Sequence, residues 1–126
     1  MSTQASHSNQ TLYQRLGGEM KLKIIVDDVL DKNASNPMIA YYFEKIDMDR
    51  LKLLVFEFFS MCIGGPHSYS GRDMRTAHTG LNITDEEWDS GTEDTIWALD
   101  KNGVDPSTRD EVIAILETMR GDIVGV

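Results

Sequence analysis

Positive charge is scarce in this chain. Twelve lysines and arginines stand against twenty-one aspartates and glutamates, giving a formal charge of −9 over 126 residues. A field of that sign repels nucleic acid and anionic membrane surfaces. The basic residues form only short groups, Lys21/Lys23 and Arg72/Arg75, without interleaved aromatics, so no nucleic-acid partner is expected. Cysteine is almost missing. The single Cys62 excludes an intrachain disulfide framework and suits a reducing compartment, read here as the cytoplasm. It lies in the run Phe58-Phe59-Ser60-Met61-Cys62-Ile63, which favours a buried small hydrophobe over a reactive thiol. Long hydrophobic runs are missing too. None approaches the ~20 apolar residues that cross a bilayer, so no membrane partner is expected. The first ten residues, MSTQASHSNQ, lack the apolar stretch of a secretory signal. They read as a flexible tail, carrying a solvated His7, ahead of one domain over residues 11–126.

What is present is helical periodicity, punctuated by glycine and proline. Thr11 caps a short helix, Leu12 to Leu16, stopped by Gly17-Gly18. A second helix runs from about Glu19 to Lys32, with Leu22, Ile25, Val26, Val29 and Leu30 on one stripe, and Asn33 to Pro37 ends it. A short helix follows Pro37 to Phe43. Asp47 or Asp49 caps a helix from Arg50 to Cys62, whose stripe is Leu51, Leu54, Val55, Phe58, Phe59 and Cys62. Gly64-Gly65-Pro66 stops it. A loop leads to a short helix, Asp73 to Thr79. Thr84 and Glu87 form a capping box, with Ile83 and Trp88 at hydrophobic-staple positions, for a helix to about Lys101. Asp105-Pro106 opens a last helix that buries Val112, Leu116, Met119 and Ile123. No convincing strand is found. The fold class is all-α.

Familiar catalytic patterns are missing: there is no G-x-S-x-G, no phosphate-binding loop and no H-E-x-x-H. Histidine is rare, with three in the chain. His67 follows Gly64-Gly65-Pro66 and reads as a surface residue. His78 shares a helix face with Met74, four residues before it. By spacing alone, His78 reads first as a polar residue near a helix end, where the backbone dipole favours its charge. A protein-only zinc site needs three or four ligands, which His67 and His78 do not supply. A haem changes that count, because its porphyrin gives four nitrogens and the protein need give one histidine and an apolar slot. Leu51 to Cys62, with Phe43, Phe56, Phe58 and Phe59, could line such a slot.

Several segments together carry a family resemblance. They are LYQRLGG at 12–18, NPMIAYYF at 36–43, DMDRLK at 47–52, FEFFSMCIGGP at 56–66, YSGRDMRTAH at 69–78 and GLNIT at 80–84. Over residues 11–125 the chain resembles the group I truncated haemoglobins, the two-over-two helical globins. The resemblance implies haem b as cofactor, with His78 as the proximal iron ligand. It implies that Phe43 packs on the haem face and that Met74 contacts haem one turn before His78. Arg72 and Arg75 fall near the propionates. Phe58, Leu51, Leu54, Val55 and Ile83 complete the expected cofactor-binding set, while Pro66 and Tyr69 shape the loop before the proximal helix.

The distal side departs from the family pattern. The Phe-Tyr pair expected on the second helix reads Val29-Leu30, and two positions that usually offer glutamine match Leu51 and Val55. Leu54 stands where some relatives place a histidine or a basic propionate partner. The ligand pocket expected from Leu30, Phe43, Leu51 and Val55 is therefore apolar. The implied partners are the diatomic gases O2, CO and NO, with reversible dioxygen binding or transport as the leading function. A nitric oxide dioxygenase drawing on an external reductase is the enzymatic alternative, and a gas or haem sensor ranks below both.

Overall fold

The computed structural model describes residues 10–126. Nine of the ten residues expected to form a tail, His7 among them, lie outside the described residues. Helix α1 (Leu12–Leu16) opens with the Thr11 side chain capping Gln14, and closes on Gly17 at φ 113°, a conformation that glycine adopts without strain. Helix α2 spans Gly18–Ser35, three residues beyond the expected end. Asn33 is buried and bonded to Asp94, so the helix continues past it. The stop comes at Asn36, extended at φ −81° and ψ 115° as the residue before Pro37 must be. A single 3₁₀ turn, Ala40–Phe43, replaces the short helix expected after Pro37.

Asp47 caps α3 (Met48–Cys62), which starts two residues earlier than expected. Helix α4 (Met74–His78) is capped by Asp73. The Thr84/Glu87 capping box opens α5 (Asp85–Lys101), and Asp105 with Pro106 opens α6 (Pro106–Glu117). The last expected helix is in fact two. Thr118 and Met119 donate their N–H groups three residues back rather than four, which tightens the backbone and turns it into α7 (Arg120–Ile123). Apart from one isolated bridge between Ile83 and Val124, the described residues hold no β pairing.

Helix α2 is the centre of the molecule and packs on both α3 and α5, while α5 packs on α6. Leu22, Ile25, Val26 and Leu99 are essentially solvent-free, with Phe56, Ala98 and Val112 around them. A buried polar knot stands between α2 and α5. Asn33 Nδ2 donates to Asp94 Oδ2 at 2.8 Å, and Asn36 Nδ2 donates to the same oxygen at 3.0 Å and to Ser90 Oγ at 2.8 Å. Gly91 stands between Ser90 and Asp94 in the interior of α5, where glycine costs about 0.5–1 kcal/mol relative to alanine.

His67 is not the surface residue expected from its loop position. Its side chain is 26% exposed; Nδ1 shares a hydrogen bond with the buried Ser60 Oγ at 2.8 Å, and Nε2 lies 3.2 Å from Glu19. Its ring also meets the Phe56 ring edge-on at 4.7 Å. Gly65 makes this fit possible, since a Cβ there would stand 2.1 Å from Ser60 Oγ and 2.6 Å from the Tyr13 ring.

Candidate functional site

A cavity of about 560 Å³ opens between α2, α3, α4 and α5. Helix α2 supplies Val29 and Leu30, and the 3₁₀ turn supplies Phe43. Helix α3 supplies Leu51, Leu54, Val55 and Phe58, at the spacing of one helical stripe. Met74 and His78 come from α4, and Ile83 and Trp88, the staple positions, come from the start of α5. Almost all of this wall is aliphatic or aromatic carbon, the usual character of a cofactor slot.

His78 is held in one tautomer. Its Nδ1 stands 2.7 Å from the Met74 carbonyl oxygen. A carbonyl only accepts, so Nδ1 carries the proton, and the Nε2 of the neutral ring carries the lone pair. That is the form of a histidine ready to ligate a metal through Nε2, with the carbonyl as its orienting partner. Among the described residues, no group of three or more His, Cys, Asp and Glu gathers into a cluster that could hold an ion alone. A metal on His78 therefore needs other donors.

The short helix carrying His78 is braced from outside. Gly80 and Asn82 donate their N–H groups to the Val126 carbonyl at 3.2 and 3.0 Å, and Gly125 donates to the Ile83 carbonyl at 2.8 Å. On the other side, Tyr69 donates to the Arg72 carbonyl at 2.5 Å and packs edge-on against Phe58, 5.1 Å between ring centres. Ser70 donates from both N–H and Oγ to Glu57, whose carboxyl is held below the usual carboxylate range by these two bonds. The loop before α4 is thus tied to α3.

Of the residues expected at the slot, Phe56 and Cys62 turn into the core instead, and every other expected cofactor- or ligand-pocket residue lines the cavity except Arg75. Its guanidinium instead donates to the Gly121 carbonyl at 3.3 Å and stands 3.4 Å from Asp122. The cations at the cavity are Arg72 and a residue the sequence reading passed over, Arg50. Arg50 lies four residues before Leu54 on α3, so helical spacing already put it beside the stripe. Tyr42, which adjoins Phe43, also lines the cavity. Its hydroxyl donates to Glu87 Oε1 at 2.7 Å, the neighbouring Tyr41 hydroxyl donates to Glu87 Oε2, and the two rings stack 4.3 Å apart. These hydroxyls and the Thr84 N–H hold the Glu87 carboxyl down to about 2. Burial, with the bonds to Tyr41 and Glu87, pushes the Tyr42 hydroxyl well above its ordinary value. Cys62 is half-buried, and burial raises its thiol, as suits a packing residue.

Known proteins share this fold. The model of the bacterial-like globin family matches residues 11–124. A group 1 truncated haemoglobin of Tetrahymena pyriformis is 31% identical over 92% of this chain and 96% of its own length. A Synechocystis group 1 truncated haemoglobin is 30% identical over 83% of this chain and 88% of its own. The Fe(III) crystal structure of the Tetrahymena pyriformis protein superimposes with a TM-score of 0.90, covering 93% of this chain and all of that one. The two-over-two haemoglobin of a Synechococcus species, solved in the cyanomet state with covalently attached haem, gives 0.86 at 26% identity over 91% of this chain and 98% of its own. The all-α architecture is thus the two-over-two one. With its family model, its relatives and its backbone in agreement, the chain belongs to the bacterial-like globins, among the group 1 truncated haemoglobins.

Proposed function

We propose that the chain holds haem b on His78 Nε2 and binds dioxygen and other diatomic gases reversibly, on a distal side walled by Leu30, Leu51 and Val55. The observation that carries the reading is the single lone pair of His78, fixed by Met74 at the wall of a large apolar cavity. The residues present fit a flat, mostly apolar, dianionic cofactor. Carbon lines the slot, and Arg50 and Arg72 supply cations for its two carboxylates. Haem supplies the iron on which the gas binds. His78 anchors that iron, and Met74 keeps the ring from rotating and strengthens its lone pair. Phe43 and Phe58 exclude water from the cofactor edges.

Leu30, Leu51 and Val55 offer no hydrogen bond. Dioxygen gains negative charge when it binds, and a donor there would be worth about 1–3 kcal/mol, or roughly 5- to 150-fold in affinity. The apolar wall therefore favours rapid dioxygen release, while carbon monoxide, less polar when bound, loses little. It also disfavours a held water, which needs polar partners. The reading of a cytoplasmic protein rests on the lone, half-buried Cys62.

The test is the absorption spectrum of the chain with haem added, in ferric, ferrous, ferrous-CO and ferrous-O2 forms. A Soret band with a five-coordinate ferrous spectrum is expected. No haem uptake would remove the reading, and a six-coordinate ferrous spectrum would place an internal ligand where the apolar wall is proposed.

A further inference from the structure

Gly91 lines the cavity from the interior of α5. Two ordinary reasons for a glycine do not apply there. Its φ is not among the positive ones, so no left-handed turn requires it. Nor does a close helix contact require it, because a Cβ built on Gly91 would meet nothing nearer than Ile39 Cδ1, at 3.8 Å. An alanine would fit and would stabilise the helix. What the glycine leaves is space.

That space has a definite address. Ser90 and Asp94, on either side of Gly91, are tied to Asn36 and Asn33 of the α2 end. Ile39, the nearest side chain to that space, follows the same α2 end, so Gly91 stands where α5 meets the close of α2, which begins one helical turn past Leu30. The neighbouring hydroxyls do not make it polar. Thr92 Oγ1 donates to the Trp88 carbonyl at 3.0 Å and Thr95 Oγ1 to the Gly91 carbonyl at 3.2 Å, both within their own helix. The recess is bounded by Ile39 and the bare backbone of Gly91, and it opens into the cavity that Leu30 also lines.

We infer that this recess receives the tail of a ligand larger than a diatomic gas: a small organic molecule with one iron-binding atom and a short alkyl chain. The inference rests on the haem reading above, which sets the iron-binding head on the Leu30 side of the cavity. Gly91 is then a specificity-determining residue, since any branched side chain there would fill the tail's space. Overfilling a packed apolar site opposes binding steeply, whereas a diatomic ligand stays near the iron and feels little of it.

The experiment uses the haem-loaded full chain and compares n-butyl isocyanide with carbon monoxide, both of which bind ferrous iron through carbon. In the unsubstituted protein, affinity should rise from methyl to n-butyl isocyanide. In Gly91→Val, the ratio of n-butyl isocyanide to carbon monoxide affinity should fall by about tenfold or more. Gly91→Ala serves as a second variant and carries a readout that needs no ligand: its Tm should rise by a few degrees, on the order of 2–5 °C, because the methyl enters open space. An unchanged affinity ratio in Gly91→Val, no gain from methyl to butyl, or a lowered Tm in Gly91→Ala would overturn the inference. Absence of any carbon monoxide spectrum would instead remove the haem reading on which it rests.

Discussion

The proton on His78 Nδ1 points at the Met74 carbonyl oxygen, 2.7 Å away and one helical turn back. The two residues thus fix which nitrogen keeps its lone pair, Nε2. His78→Ala removes that nitrogen and should abolish or greatly weaken haem retention, read as loss of the Soret band after gel filtration. Free imidazole should restore a five-coordinate spectrum to the variant, since the slot itself is left intact. Undiminished haem retention in His78→Ala would reject His78 as the ligand.

Leu30 lines the same cavity from α2. Leu30→Tyr introduces a hydroxyl that can donate to bound dioxygen, and should slow dioxygen dissociation by roughly 5- to 150-fold. Carbon monoxide dissociation should change far less. Stopped-flow displacement measures both, and an unaltered dioxygen off-rate would mean that position 30 does not face the bound gas.

The knot on Asp94 joins the end of α2 to α5 beside the cavity. Asp94→Ala leaves the amides of Asn33 and Asn36 without that acceptor. For buried donors this costs about 1–3 kcal/mol. Urea unfolding should show that loss without a change in slope; a difference within error would mean that water replaces the carboxylate at no cost.

Glu87 gathers three donors: the Tyr41 and Tyr42 hydroxyls and the Thr84 N–H. Its folded pKa, about 2, lies below the ordinary glutamate value. The folded state therefore binds the proton less readily than the unfolded one. The stabilisation is complete above the unfolded value of about 4.3 and is lost as the pH falls toward 2. Glu87→Gln should consequently be less stable than the parent at neutral pH, with the gap narrowing on acidification between about pH 5 and pH 2. A gap independent of pH would assign Glu87 a packing role alone.

The helices and most of the pocket were legible because periodicity and caps are local. The stripe from Leu51 to Phe58 names both a helix and the face it turns to the cavity. Thr84 and Glu87 are three residues apart and announce their own bond. What could not be read was pairing across the fold. Arg75 was set beside Arg72 by proximity in sequence, yet Gly121 and Asp122, more than forty residues away, hold it elsewhere. His67 looked exposed because its partners Glu19, Phe56 and Tyr13 lie on other segments. Gly91 was silent for another reason. A glycine inside a helix reads as a weak spot, and only the space around it tells whether it marks a close contact or a recess.

Helix α4 has five residues, too few to persist unaided. Its position is lent to it by the bonds from Gly80, Asn82 and Gly125 and by the tie from Tyr69 to Arg72. The segment that carries His78 therefore opens by breaking a few backbone bonds, without disturbing the core around Leu22 and Leu99. Amide hydrogens from residues 77 to 82 should exchange through such local openings well before those of α2. On the proposed haem reading, release from His78 should follow the opening of this small piece rather than global unfolding, so the protein's lifetime as a loaded molecule and its lifetime as a folded one should run on two separate clocks.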